Sequence, residues 1–282
     1  MIDFSAARGP KLSLDESSVL DIGSCVVDGH DLAPGTAVPD DGDARISHSV
    51  QGFLFTCGPD HIRHRSPMGA AFPDRRYPLH GSFSSNPARV LWTRFEGGNA
   101  ECRAEVDLIT AEGRPARLER HWTIDGVTGE VHLRDRVVNT GSEPMPAFFM
   151  YHMNIGGKWL DGHTQLQGRM LEGGGFPFTF GEADGGIFCV PARTGEDRWA
   201  EVSLGPIAAI GNRTLRVRFA AGTLPFLQMW RNQRLPVDVV GIEPVSHRWE
   251  PREVLEQAGE FNILQPGEGR DFALSFAFVE QG

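Results

Sequence analysis

The chain has 282 residues, a formal net charge of −10, 34 glycines and 19 prolines. An acidic surface argues against a nucleic-acid or anionic-membrane partner, because both require a basic face. A small-molecule ligand fits the charge better. The many glycines and prolines favour numerous turns and few long helices. The length suits one large all-β domain or two ordinary domains.

The four cysteines and the N-terminus carry no sign of a special compartment. The cysteines are scattered without a CxxC pair, so we expect reduced thiols, most of them buried. The opening MIDFSAARGPKLSL lacks a charged start, an apolar run and a cleavage signature. No stretch reaches the about 20 apolar residues that a membrane-crossing helix needs. These features predict a cytoplasmic soluble protein.

The first part of the chain is typical of short strands separated by a loop. Apolar residues in Ser18–Ile22 and Ser24–Val27 predict two strands. Asp28–Asp43 is rich in glycine, proline and aspartate, which predicts a loop. Gln51–Cys57 is a compact apolar segment that predicts a further strand.

A polar loop with two histidines, His61 and His64, follows this strand. Two histidines three residues apart can ligate a metal on a helix, but no third ligand has the spacing to complete a site. We therefore expect no metal here. The loop is either solvated or placed at the edge of a substrate site.

Tyr77–Val90 holds a histidine at a corner of the chain. Pro78 biases the residue before it toward extended backbone, and Gly81 lets the chain turn directly after His80. Arg89 lies just downstream. Its planar donor fork suits an anionic or polyhydroxylated ligand, and the alternative is an ordinary surface arginine.

Three alternating segments, Cys102–Ile109, Ala116–Ile124 and Glu130–Val138, predict an antiparallel meander. The second half of the chain continues with similar short, strand-like segments. Only Pro251–Gly259 has the pattern of a short helix. The segments together predict an antiparallel, all-β protein.

Pro146–Gly157 is an apolar run that leads into His152 and Asn154. Alternation along a strand puts His152 on the same face as Phe148 and Met150, so the imidazole stands at the rim of an apolar wall. The alternative is a core histidine bonded to a backbone carbonyl. The position suits either chemistry or packing.

Pro236–His247 ends an apolar strand in Glu243. A carboxylate at this place is partly desolvated, which raises its pKa above the reference of about 4.3. Buried glutamates are rare unless they are paired or functional. We therefore favour a functional role for Glu243.

Six short motifs follow one another between about positions 50 and 270. They are Thr56-Cys57-Gly58, Leu79-His80-Gly81, Asn139-Thr140-Gly141, Tyr151-His152-Met153-Asn154, Leu227-Gln228-Met229-Trp230 and Gly241-Ile242-Glu243-Pro244. In this order they resemble the aldose 1-epimerase (galactose mutarotase-like) superfamily. The resemblance is strongest to its bacterial branch catalogued as a domain of unknown function.

The resemblance implies a large antiparallel β-supersandwich that takes residues 1–282 as a single domain. It also implies an isomerase of carbohydrate metabolism, a cofactor-independent mutarotase that interconverts the α and β anomers of a hexose or modified hexose. Glu243 then looks like the general base and His152 like the general acid. The residues expected to bind the sugar are His80, Arg89, Trp230 and Asn154.

One departure from the family pattern keeps a second hypothesis open. The branch has a basic residue directly after the His-Gly pair, whereas this chain has Ser82, with Arg89 as a candidate replacement. The alternative is a non-catalytic carbohydrate-binding or sugar-sensing protein on the same fold. A metal-dependent isomerase that uses His61 and His64 is a weaker hypothesis.

Several arginines near His80 in sequence suggest recognition of an anionic group on the sugar, although solvated surface charge is the alternative. They are Arg63, Arg65, Arg75, Arg76 and Arg89. The sequence leaves the oligomeric state open, with a homodimer as one option.

Overall fold

The computed structural model describes residues 1–36 and 42–280. Part of the predicted loop Asp28–Asp43, residues 37–41, lies outside the described residues. The first elements are β1 (Ile2–Phe4), β2 (Lys11–Asp15), β3 (Asp21–Val27), β4 (His30–Asp31), α1 (Ala44–Gln51), β5 (Leu54–Cys57), β6 (Arg89–Glu96), β7 (Asn99–Ile109), β8 (Pro115–Ile124), β9 (Val131–Asn139) and β10 (Met145–Pro146).

The elements that follow in the chain are again mostly strands. They are β11 (Met150–Gly156), β12 (Gln165–Gln167), β13 (Gly175–Pro177), β14 (Gly185–Pro191), β15 (Trp199–Ile207), β16 (Arg213–Ala220), β17 (Phe226–Asn232), β18 (Val239–Val245), α2 (Arg252–Gln257), β19 (Ile263–Leu264) and β20 (Gly269–Val279). The helix α2 lies inside the segment for which the sequence predicts a helix.

The strands form two large antiparallel sheets. The first sheet has the order β1-β2-β3-β5-β11-β18-β17-β14, with β4 beside β3. The second sheet has the order β13-β12-β15-β16-β20-β9-β8-β7-β6, and β10 pairs with β19 apart from both. The predicted meander is β7, β8 and β9, which pair in succession. The predicted antiparallel all-β fold is confirmed.

Helix α1 lies where the sequence favours only strands and a loop. Its N-cap is Asp43, whose carboxylate accepts a hydrogen bond from the backbone N–H of Arg45 at 3.2 Å. Ile46, Ser49 and Val50 form its buried face. A side-chain cap and a narrow buried stripe are enough for this short helix, because it packs against the first sheet.

A hydrophobic core lies between the two sheets. Aromatic side chains from both sheets meet there. The rings of Phe149 and Phe272 stack with centroids 4.0 Å apart, and those of Phe53 and Phe276 lie 5.6 Å apart. Burial of this apolar surface is the main source of stability for such a sandwich.

Strand β11 and the two residues before it present two differently used faces. Phe149 and Tyr151 belong to the core between the sheets. Phe148 and Met150 belong to a second apolar cluster on the opposite face. His152 shares this second face, so the predicted alternation is confirmed.

A buried arginine of the second sheet reaches across the core to the first sheet. The Arg120 side chain is 0% exposed, and its Nε and Nη2 donate to the two carboxylate oxygens of Asp135, both at 2.8 Å. Its Nη1 donates to Asp21 Oδ1 and to the carbonyl of Val19, both at 2.7 Å. Its Nη2 also donates to Thr56 Oγ1 at 2.6 Å. The guanidinium is thus tied to β3 and β5.

The same network also reaches β11. The hydroxyl of Tyr151 donates to Asp135 Oδ2 at 2.9 Å. Thr56 and Tyr151 lie next in sequence to Phe55 and His152, whose side chains point to the other face of the sheet. The network therefore fixes β5 and β11 from the core side, opposite the face that carries Phe55 and His152.

We expect Arg120→Met to lower the free energy of unfolding by about 3–5 kcal/mol, because it leaves two buried carboxylates without their cation. Arg117→Met is the matched control on the same strand, since Arg117 pairs with Asp107 at the surface. That change should cost less than about 1 kcal/mol. Urea unfolding of both variants measures the difference, and equal costs would contradict the role of the network.

Candidate active site

Four neighbouring strands of the first sheet, β17, β18, β11 and β5, each contribute one side chain to a single row. Gln228 is in register with Glu243, and His152 is in register with Phe55. The pairing of β11 with β18 brings His152 beside Glu243. Because alternate side chains of a strand point to the same face, all four side chains stand on the face away from the core.

The histidine and the glutamate are in direct contact. Nε2 of His152 lies 3.2 Å from Oε1 of Glu243, and the two side chains are 4% and 1% exposed. Oε2 of Glu243 accepts a hydrogen bond from Nε2 of Gln228. Oε1 makes no hydrogen bond to any residue that the structure describes. It is buried, and Nε2 of His152 lies beside it.

A glycine keeps space open beside this pair. A Cβ atom on Gly241 would lie 2.7 Å from Oε1 of Glu243 and 3.3 Å from the Trp230 side chain. Any larger residue would compete with both groups for the same volume. Gly241 belongs to the Gly-Ile-Glu-Pro motif, so the structure gives that motif a steric reason.

Asn154 sets the tautomer of His152. Its Nδ2 donates to the carbonyls of Val50 and Gly52 at 3.4 and 3.2 Å, so its Oδ1 faces Nδ1 of His152 at 2.7 Å. An acceptor at this place requires a hydrogen on Nδ1. Nε2 is therefore the nitrogen that takes up or releases a proton.

The expected contact of Asn154 with a substrate is not what the structure shows. Asn154 is fully buried behind the imidazole and does not line the cavity. Its two amide hydrogens are both used by backbone carbonyls. It is a positioning residue.

Burial shifts both groups of the pair toward their neutral forms. It raises the pKa of Glu243 to about 8, against the opposing effects of the Gln228 hydrogen bond and the Arg63 charge. Burial, and then the nearby His80, holds the pKa of His152 well below its usual value. At neutral pH the pair therefore carries one proton, on the carboxyl group, and no net charge.

His80 lies at a tight turn of the chain, as the glycine that follows it predicts. Its φ is +56° and that of Gly81 is +83°. A Cβ on Gly81 would collide with the backbone carbonyl of His61, so only glycine fits there. Nδ1 of His80 lies 3.2 Å from the carbonyl of Ile62, and burial lowers the pKa of His80 to about 3. The ring lines the cavity as a neutral imidazole.

Arg63 and Gln228 complete the polar wall, and sequence reasoning assigned neither a role at the pair. Nε of Arg63 donates to Oε1 of Gln228 at 3.2 Å, which orients the amide so that its nitrogen faces Glu243. Gln228 lies two residues before Trp230 on the same strand face. That spacing is the signal that points to it.

These side chains surround a cavity of about 170 Å³. His152, His80, Glu243, Gln228 and Arg63 form its polar part, with Trp230 and Trp249 as aromatic walls. The ring centroids of Trp230 and His152 lie 5.5 Å apart. The volume is below the about 300–1,000 Å³ of pockets for drug-sized molecules, so a small ligand fits it better.

Arg89 is the predicted binding residue that the structure places elsewhere. It lies on the exposed β6 of the second sheet, where its guanidinium pairs with Glu105. Of the other predicted arginines only Arg63 lines the cavity, whereas Arg65, Arg75 and Arg76 donate to main-chain carbonyls outside it. Nearness in sequence failed as a guide because the chain crosses to the other sheet between His80 and Arg89.

Ser82, the departure from the family pattern, is directed away from the pair. Its hydroxyl donates to Asp60 Oδ2 at 2.7 Å, and its backbone N–H donates to Oδ1 of the same carboxylate at 3.0 Å. Both side chains are buried. Ser82 therefore fixes the turn that follows His80.

His61 and His64 do not form a ligand pair. Nε2 of His61 lies 2.6 Å from the carbonyl oxygen of His64, and its ring stacks on Tyr77. Among residues 1–36 and 42–280, no group of three or more His, Cys, Asp or Glu side chains could hold a metal ion.

The sequence matches the model of one protein family, Domain of unknown function (DUF4432), over residues 20–171 and 181–278. The chain belongs to the DUF4432 family. No curated protein matches this DUF4432 chain. Within its described residues, no helix combines the length and hydropathy that a bilayer crossing requires.

Several solved structures share this fold. A candidate aldose 1-epimerase from Klebsiella pneumoniae has a TM-score of 0.77 at 16% identity, over 96% of this chain and 77% of that one. A galactose mutarotase-like protein from Clostridium acetobutylicum has a TM-score of 0.68 at 14% identity, over 98% and 94%. A candidate aldose 1-epimerase from Escherichia coli K12 has 0.67 at 14%, over 99% of both. The DUF4432 chain thus shares their fold.

The buried carboxyl group predicts how stability depends on pH. The folded-state pKa of Glu243, about 8, lies above its ordinary value of 4.5. The stability linked to its proton is therefore complete below pH 4.5 and is lost as pH rises toward 8. Glu243→Gln cannot titrate, so wild type should lose stability relative to this variant across that range. Thermal unfolding at a series of pH values tests this, and a constant difference would contradict it.

Proposed function

We propose that the protein is an aldose 1-epimerase, a mutarotase that interconverts the α and β anomers of a hexose or modified hexose. The observation that supports this best is the contact between Nε2 of His152 and Oε1 of Glu243, 3.2 Å apart in the wall of one small cavity. The shared fold with aldose 1-epimerase-like structures agrees with it.

The reaction needs a base and an acid close together. The anomeric hydroxyl O1 and the ring oxygen O5 of a pyranose are bonded to the same carbon. A base that removes the O1 proton and an acid that protonates O5 must therefore lie within a few ångströms of each other. Glu243 and His152 meet this condition.

In the proposed mechanism Glu243 takes the O1 proton while His152 protonates O5 through Nε2. The C1–O5 bond breaks, and C1 becomes an aldehyde. Rotation about the C1–C2 bond presents the other face of the carbonyl. On closure the roles reverse, because Glu243 returns its proton to O1 and His152 removes the proton from O5.

A single proton shared by the pair is sufficient for this cycle. At rest the proton is on Glu243, since burial favours the neutral carboxyl and the neutral imidazole. Its transfer to Nε2 gives the form in which Glu243 is the base and His152 the acid. Both forms leave the pair without net charge.

The remaining groups bind and orient the sugar. Trp230 and Trp249 offer apolar faces to the C–H surface of a pyranose. His80, with its Nδ1 directed at the carbonyl of Ile62, presents Nε2 as an acceptor for a sugar hydroxyl. Asn154 holds the imidazole in the tautomer that the proton transfer needs.

Glu243→Gln and His152→Ala should each slow anomer interconversion by about 10²–10⁴-fold, the usual contribution of a positioned acid or base. NMR exchange spectroscopy of a panel of aldoses measures the rate. Circular dichroism shows that the variants are folded.

Glu105→Gln is the matched control for these variants. Glu105 is paired with Arg89 and Arg117 on the second sheet and lies outside the cavity. This variant should keep the wild-type rate. Wild-type rates in both site variants would rule out the mechanism, and sugar binding without acceleration by the wild type would favour the non-catalytic alternative.

The rate should also depend on pH through the proton count of the pair. Above about pH 8 Glu243 loses the shared proton, and no acid remains for O5. At low pH, below the depressed pKa of His152, a second proton occupies the base. We expect a plateau around neutrality with a fall above about pH 8. A rate that rises steadily through pH 9 would contradict the shared proton.

A further inference from the structure

Arg63 brings a positive charge into the cavity wall, and its hydrogen-bond acceptors are neutral. Nε donates to Oε1 of Gln228 at 3.2 Å. Nη1 and Nη2 donate to the main-chain carbonyls of Arg248 and His247, both at 3.0 Å. No carboxylate in the described part of the chain lies within 4.0 Å of the guanidinium. A guanidinium has five N–H donors, and besides these three bonds it contacts the Cys189 thiol, which stays neutral because burial raises its pKa. At least one N–H is then left for a ligand.

The other titratable groups near Arg63 do not neutralise it at pH 7. Burial lowers the pKa of His80 to about 3 and that of His247 to about 4, and it holds the pKa of His152 well below its usual value. Glu243 keeps its proton up to about pH 8. The cavity therefore has a net positive charge although the chain as a whole is acidic.

Arg63 also stands at the junction of two cavities. The candidate active site shares Arg63, His64 and Trp249 with a neighbouring cavity of about 240 Å³. The guanidinium carbon lies 5.1 Å from the centroid of the Trp249 ring. A sugar ring beside Glu243 thus has room to direct a substituent toward Arg63.

On the basis of the proposed function, we propose that the substrate is an aldose with an anionic substituent, a carboxylate or a phosphate, and that Arg63 binds this group. A neutral sugar would leave the guanidinium without a counter-charge in a partly desolvated wall. An anionic substituent would form a charge-assisted hydrogen bond with a free N–H donor, which is stronger than a neutral one.

The test compares charged and uncharged forms of the same sugar with the full-length wild-type protein. Calorimetry measures the binding of D-glucuronate and D-galacturonate, their methyl esters, the parent hexoses and the hexose 6-phosphates. NMR exchange spectroscopy measures anomer interconversion of the same compounds. We expect at least one anionic sugar to bind about tenfold or more tightly than its neutral counterpart. The carboxylate and phosphate arms identify which anion is preferred.

Two variants assign the effect to Arg63. Arg63→Gln should abolish the preference for the anion, and Arg63→Lys should keep part of it. Arg65→Gln, a neighbour whose guanidinium donates to the carbonyl of Gly42, should leave it unchanged. If Arg63→Gln does not fold, the comparison of acid and ester in the wild type decides.

The outcomes separate this inference from the proposed function. Equal binding of every charged sugar and its neutral counterpart would overturn the inference, whatever the rates. Selective anion binding without any interconversion would support the role of Arg63 and count against the epimerase. Faster interconversion of neutral sugars, with no anion preference in binding, would support the epimerase and contradict the role of Arg63.

Discussion

The buried Arg120 network is the constraint on which the position of the site depends. It ties β3, β5 and, through Asp135 and Tyr151, β11 to the second sheet. Because side chains alternate along a strand, fixing Tyr151 inward fixes His152 outward. A slip of one residue would turn His152 into the core. Burying this network costs free energy, but it fixes a single register for the strands of the site.

The row from Phe55 through His152 and Glu243 to Gln228 joins parts of the chain that are far apart in sequence. It becomes one site only because β5, β11, β18 and β17 are neighbours in the first sheet. Such pairing is non-local, and local patterning cannot reveal it. The sequence pattern therefore predicts that His152 and Glu243 each end an apolar run. It does not predict that the two residues meet, and only the resemblance to a family suggested that they act together.

Features with a local cause were predictable. The meander, the two faces of β11 and the glycine corner after His80 follow from alternation and backbone freedom. Features that depend on how distant strands pair were not predictable. Arg63 and Arg89 both lie near His80 in the sequence, yet Arg89 pairs with Glu105 on the second sheet and Arg63 lines the cavity. Asn154 lies behind the imidazole because its amide donates to main-chain carbonyls there, and its motif gives the residue type but not this placement.

The charge balance of the cavity explains how a buried acid–base pair can exist at all. An isolated ionised carboxylate in this position would be strongly disfavoured, and so would an isolated imidazolium. One proton between Nε2 and Oε1 avoids both, because either arrangement leaves the pair without net charge. Arg63 then supplies the only fixed charge we find among the described groups facing the cavity. A proton can therefore move between His152 and Glu243 without changing the net charge of the cavity. The preference of the site for a charged ligand, set by Arg63, is the same before and after the transfer.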